Sequence, residues 1–128
     1  MAGVIKTVTP FLRGAGHGFV GPLNYERANE EIVLAANLGA VAAMQPLGQI
    51  TVGGQYKKWD PAASDGSQNF AGFLWEDRPA LTTTQRAVAT KREATANAHA
   101  IVGWDALSTP NKAALVTAAK AMGIIILV

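Results

Sequence analysis

The sequence contains no cysteine. That excludes a disulfide framework and any thiolate site for zinc or redox chemistry, and it leaves the compartment unmarked. Charge is also scarce. Asp, Glu, Lys and Arg make up 16% of the 128 residues, against about a quarter in an average domain. The net charge is +2, and the only adjacent basic pairs are Lys57-Lys58 and Lys91-Arg92. No basic stripe of the kind that tracks a phosphate backbone is present, so nucleic acid is not expected as a direct partner. No apolar run approaches the roughly 18 residues that a spanning helix needs. The start, MAGVIKTVTPFLRG, lacks the charged head and long apolar stretch of a secretory leader. A membrane partner is not expected either.

What is present is one domain's worth of chain, rich in alanine and glycine. So little charge on so small a protein implies that much of its surface is buried against partners or inside a closed oligomer. Residues 1–22 differ from the rest. Gly14-Ala15-Gly16-His17-Gly18 cannot hold a stable helix and makes a poor strand interior, and Pro10 and Pro22 bracket it. This segment reads as a flexible arm, and residues 23–128 as a single β-rich domain. Within the arm, Val4, Ile5, Thr7 and Val8 have β character. With Phe11 they are the candidate anchors for pairing with another chain's sheet edge.

The domain reads as strands and turns. Residues 30–36 form a strand ended by Asn37-Leu38-Gly39, and a second strand is expected beyond that turn. Gln49-Ile50-Thr51-Val52 and Gln55-Tyr56-Lys57-Lys58-Trp59 flank Gly53-Gly54, the pattern of a hairpin with a two-residue turn. Asp60-Pro61 and Ser64-Asp65-Gly66 punctuate a loop, and residues 70–75 return as a strand. Residues 93–100 are alanine-rich, yet Ala94, Ala96, Ala98 and Ala100 alternate with Thr95, Asn97 and His99. A period of two predicts a strand with one small-residue face. Ser108 or Thr109 then caps a helix with Pro110 in its first turn. Leu115, Ala118, Ala119 and Met122 share one face of that helix, and Gly123 stops it. The closing run, residues 124–128, is wholly apolar and is expected to be buried, in the middle of a sheet or at a subunit contact.

Catalytic patterns are weak. Gly14-x-Gly16-x-Gly18-x-x-Gly21 echoes a dinucleotide fingerprint, but Pro22 stands where the helix should open. His17 and His99 are far apart in sequence, share no metal-ligand spacing with a carboxylate, and read as surface residues. Asp60 and Asp65 lack the intervening oxygen ligands and the closing Glu of a calcium loop. Glu76 and Asp77 are adjacent and point to opposite faces if extended. No nucleophile elbow is present. Neither a cofactor nor a metal is expected, and the chain does not read as an enzyme. Trp59, Trp75 and Trp104 are core candidates that also qualify as oligomer or partner contacts, because interfaces favour tryptophan.

Several segments, taken in order, carry a family resemblance. They are Leu34-Ala35-Ala36-Asn37-Leu38-Gly39-Ala40-Val41, Leu47-Gly48-Gln49-Ile50-Thr51, Trp59-Asp60-Pro61-Ala62-Ala63-Ser64-Asp65-Gly66-Ser67, Ala71-Gly72-Phe73-Leu74 and Ala121-Met122-Gly123-Ile124-Ile125. Together they span roughly residues 30–128, and the chain resembles the head decoration proteins of tailed phages, the lambda decoration protein D group. The resemblance implies a mainly β fold with short helices, a small β-barrel or β-tulip-like domain carrying a flexible N-terminal arm. It implies a homotrimer on the local threefold axes of the expanded head, bound to the major capsid protein and holding the shell against packaged DNA. The arm would be loose in the free protein and ordered on the capsid. The protein would be made in the host cytoplasm and reside on the outer surface of the virion. Two other readings stand beside this one. The chain could serve elsewhere on the virion, in a tail or spike, or act as a small glycan- or ligand-binding β module lined by Trp59, Trp75 and Trp104.

Overall fold

The structure, a computed structural model, describes residues 16–128. It is mainly β, with a closed five-stranded barrel and a smaller sheet covered by a helix. The barrel strands are β1 (Asn29–Leu34), β2 (Pro46–Gln49), β3 (Tyr56–Lys58), β4 (Phe70–Leu74) and β5 (Gln85–Thr90). They are ordered β1-β3-β2-β4-β5 around the barrel. β1 and β5 pair antiparallel along their whole lengths, from Asn29 opposite Thr90 to Leu34 opposite Gln85. A single parallel pair, Leu34 with Tyr56, closes the barrel. A one-turn helix α1 (Tyr25–Ala28) leads into β1, capped by the Asn24 side chain, which accepts from Arg27 N.

Alternation along the strands fills the barrel. Ile32 and Leu34 of β1 and Ala87 and Ala89 of β5 point inward, where they meet Val41, Leu47, Tyr56 and Leu74. The remaining elements build a second core. β6 (Ala94–Asn97) and β7 (Ile124–Leu127) pair in parallel, and α2 (Thr109–Ala121) packs across β7 and β4. Ala94, Ala96 and Ala98 present the small-residue face that their spacing predicts, and Leu115, Ala119, Ile124 and Ile126 close over it with Phe70 and Phe73. Residues Ala98–Ala100 tighten into a single 3-10 turn, which ends the strand. β4 serves both cores: Leu74 faces the barrel and Phe73 the second core. Helix α2 begins as its sequence predicts. The Ser108 hydroxyl accepts from Asn111 N at 3.3 Å, and Gly123 leaves the helix in the left-handed region at φ 86°.

Three expectations need correction. The second strand expected after Asn37-Leu38-Gly39 does not form. Asn37 and Gly39 both take positive φ, and the following loop touches a strand-like partner only at Val41, which bridges Arg78. The hairpin exists as β2 and β3, but its register places Gln49 opposite Tyr56, so residues 50–55 make a wider connection than a two-residue turn. The cause is visible in the backbone: Thr51 N is drawn away to Asp65 O at 2.8 Å, and Ile50 N reaches Gln55 O at 2.8 Å. Finally, β7 does not lie in the middle of a sheet. It pairs only with β6 among the described residues, so Ile124 and Ile126 are buried while Ile125 and Leu127 are 44% and 49% exposed.

Candidate functional site

The arm anchors Val4, Ile5, Thr7, Val8 and Phe11 lie outside the described residues. The end of the segment read as an arm is described, and residues 16–20 lie against the domain. Gly16 N donates to Trp75 O at 2.8 Å, Val20 N donates to Thr95 O at 2.8 Å, and Asn97 N donates to Gly18 O at 2.8 Å. Phe19 bridges Ala96 as a short extra strand on β6. Its ring stacks on Trp75 at 5.9 Å and meets the edge of Phe73 at 6.2 Å. Glycine at positions 16 and 18 reflects close packing. A methyl group at Gly16 would sit 2.5 Å from Trp75 Cζ3, and one at Gly18 would sit 2.6 Å from Met44 Cγ.

The three tryptophans go to separate places. Trp75 is half-buried between Phe19 and Tyr25, whose ring meets it edge-on at 5.3 Å. It holds the point where the N-terminal segment enters the domain. Trp59 is half-buried and donates Nε1–H to Gln68 O at 2.8 Å, which ties down the loop between β3 and β4. Trp104 is 4% exposed and belongs to the second core. Lys112 Nζ lies 5.5 Å from its ring centroid. No ring pair joins any two of the three among the described residues, and they form no common aromatic platform.

The extra strand of residues 18–20, β6 and β7 make one small sheet with α2 on its inner face. Register places Val20 beside Thr95 and Thr95 beside Ile125 on the outer face. Val20 is 47% exposed, and with Ile125, Leu127 and the terminal Val128 it makes an apolar outer surface next to the root of the arm. β-branched residues in period-two order built this face. Each outward apolar residue follows from a strand whose other face is needed for the core.

Elsewhere the polar chemistry is structural. Asp65 Oδ1 accepts from Ser67 N at 3.0 Å and Ser67 Oγ at 2.5 Å, and its other oxygen pairs with Lys57 Nζ at 3.1 Å. The Ser67 hydrogen bonds and the Lys57 charge hold its carboxyl well below the usual carboxylate range. Asp60 accepts from Ala62 N, as turn chemistry predicts. The basic pair Lys91-Arg92 is engaged across the barrel end by Glu30, with Lys91 Nζ also 2.7 Å from Tyr56 OH.

One grouping is invisible in the sequence. His17 and His99, separated by most of the chain, line the same cavity of about 370 Å³ together with Asp77. Its other walls are Ala42, Ala43, Ala100, Ile101 and Val102. Among the described residues no three ligating side chains converge as a metal site would require. No helix among them is long and apolar enough to cross a membrane.

The family model for bacteriophage lambda head decoration protein D matches residues 13–124. The chain belongs to that family and is therefore a structural protein of the phage head, located on the virion capsid. No individual curated protein matches it.

Proposed function

We propose that the chain binds the major capsid protein as a homotrimer on the outer surface of the expanded head and reinforces the shell against the pressure of packaged DNA. The observation that carries this reading is the family match over residues 13–124. The placement of the apolar face supports it: Val20, Ile125 and Leu127 are exposed on the sheet at which the N-terminal segment leaves the domain. A bound arm therefore brings this face close to the same partner. In this reading Val4, Ile5, Thr7, Val8 and Phe11 add an extended segment to the shell, where main-chain hydrogen bonds supply affinity and alternate side chains supply specificity. Trp75 fixes the arm's root, and Trp59 and Trp104 support the domain from within.

Ordering an arm costs about 1–2 kcal/mol per residue of backbone entropy, and three arms on one trimer meet that cost jointly through effective concentration. Binding a surface found only on expanded heads also stabilises the expanded state by linkage. The test is to mix purified protein with expanded and with unexpanded heads of its phage and to sediment both. Retention on expanded heads alone is expected, with copies grouped in threes by electron microscopy. Equal failure on both, or decoration of tails alone, overturns the reading.

A further inference from the structure

Position 66 has to be glycine. Its φ is 108°, and a methyl group there would sit 2.5 Å from Gln49 O and 2.6 Å from Thr51 N, both backbone atoms. The packing of the β3–β4 loop on the end of β2 therefore forces an Asp-Gly pair into the chain. Such a pair is chemically labile, because glycine leaves the main-chain nitrogen unshielded and free to turn. In an unstructured chain the Gly66 nitrogen attacks Asp65 Cγ. A C–N bond forms, and the carboxyl hydroxyl leaves with the amide proton as water, closing a five-membered succinimide. Water then opens the ring. Opening at the former main-chain carbonyl routes the chain through the side-chain carbon, giving isoaspartate. One water leaves and one enters, so the product is an isomer and no co-reactant is needed.

Both reacting groups are anchored in the fold. The peptide plane between Asp65 and Gly66 is pinned at its two polar ends: Asp65 O accepts from Thr51 N at 2.8 Å, and Gly66 N donates to Gln68 Oε1 at 2.8 Å. The carboxyl is pinned at both oxygens. Oδ1 accepts from Ser67 N at 3.0 Å and Ser67 Oγ at 2.5 Å, and Oδ2 accepts from Lys57 Nζ at 3.1 Å. Attack needs a protonated carboxyl, since the ionised form repels the nucleophile and has no good leaving group. The Ser67 and Lys57 contacts favour the ionised form. We propose that Asp65-Gly66 is a latent self-modification site, an isoaspartate-forming bond that the fold holds closed through Gln68 on the nitrogen and Ser67 and Lys57 on the carboxyl. Conversion would lengthen the main chain at this point and part Asp65 O from Thr51 N, so residues 50–55 would lose their tie to the loop. Val52, 87% exposed on that connection, would lose its fixed position with it. The inference uses only this loop, so it stands or falls apart from the homotrimer reading.

The full-length protein and a synthetic peptide of residues 57–72 are incubated side by side in neutral buffer for several weeks. Isoaspartate at residue 65 is then quantified after trypsin digestion by electron-transfer fragmentation, which distinguishes the two isomers. The protein is expected to form it about tenfold more slowly than the peptide, because reaction follows the open fraction of the loop. Gln68→Ala frees the Gly66 N–H, and Lys57→Gln removes the charge beside the carboxyl. Neither side chain belongs to a core, and thermal melts verify that both variants stay folded. Each should raise the rate about three- to fivefold over wild type, the worth of one anchoring hydrogen bond. Arg86→Gln, exposed and away from the loop, should leave the rate unchanged. A wild-type rate equal to the peptide's overturns the proposal. Two folded loop variants that both react at the wild-type rate overturn it as well, since these anchors would then not be what holds the bond.

Discussion

Removing residues 1–20 and removing residues 1–12 should have opposite consequences, and the difference follows from the packing of residues 16–20. The longer deletion removes Phe19, half-buried against Phe73 and Trp75. Full truncation of a buried phenylalanine costs about 3–5 kcal/mol, so a half-buried one is worth about 2 kcal/mol. It also strips the hydrogen bonds Val20 N to Thr95 O, Asn97 N to Gly18 O and Gly16 N to Trp75 O, each contributing about 0.5–1.5 kcal/mol. The sum is about 4–6 kcal/mol, a large part of the 5–15 kcal/mol that holds a typical domain together. For a chain of this size that lowers the melting temperature by roughly 10–30 °C. The deletion also uncovers the edge of β6, which invites aggregation. Removing residues 1–12 touches none of these contacts and should leave the melt within about 2 °C of the full chain, while abolishing retention on expanded heads. Differential scanning calorimetry of the two truncations decides it. Equal melting of the two proteins would refute the assignment of residues 16–20 to the fold, and undiminished head binding by the shorter truncation would refute the arm's role.

Gly48→Ala places a methyl group 2.6 Å from Ser67 Cα and 2.7 Å from its carbonyl carbon. Backbone cannot retreat as a side chain would, so a loss of about 2–3 kcal/mol is expected; an unchanged urea midpoint would contradict it. Thr90 Oγ1 donates to Asn29 Oδ1 at 2.7 Å, both groups are buried, and Asn29 Nδ2 has no partner among the described residues. Thr90→Val therefore leaves the whole Asn29 amide unpaired and should cost about 1–3 kcal/mol, whereas Thr90→Ser, which keeps the hydroxyl, should cost less in the same denaturation series. Asp65 has a depressed folded-state pKa, so its contribution is fully present above its unfolded pKa of about 3.9 and is lost as pH falls through the folded value. The stability gap between wild type and Asp65→Asn should narrow steadily as melts are taken from pH 5 toward pH 2. A gap that stays constant or widens over that range would show that Asp65 gains nothing from its Ser67 and Lys57 partners.

Local chemistry was legible wherever a single element decided it. The alternation of Ala94, Thr95, Ala96 and Asn97 outweighed the helix preference of alanine, because β6 needs a thin inner face beneath α2. Ser108, Pro110 and Gly123 marked the helix ends through backbone requirements that do not depend on the rest of the fold. What depends on a distant partner was not legible. The glycines at 16 and 18 read as looseness, yet they are small because the Trp75 ring and the Met44 side chain lie against them. The wide connection at residues 50–55 follows from Asp65, a loop residue that competes for Thr51 N. The apolar run of β7 predicted burial on both faces, but its outer face is left uncovered within one chain. The cavity could not have been found at all, since His17, Asp77 and His99 meet only through the docking of residues 16–20 beside β6.

These misses share a cause that bears on function. Under the proposed reading, binding is spread over an arm and an apolar face that look ordinary residue by residue. In the proposed homotrimer, three linked arms would make that arrangement sufficient. A single arm with a dissociation constant of about 0.1 mM is worth only about 5.5 kcal/mol. Once one arm of a trimer is seated, a second and a third see an effective concentration of about 1 mM and each tightens the attachment about tenfold. Loss of one anchor from every arm would then be felt three times over, so a tenfold weakening per arm becomes about a two-hundredfold weakening per trimer. The multiplication works only if each arm leaves the domain at a fixed place and direction. In the proposed trimer, Gly16, Phe19 and Trp75 would supply that fixed point, through the Phe19–Trp75 stack and the hydrogen bond from Gly16 N to Trp75 O.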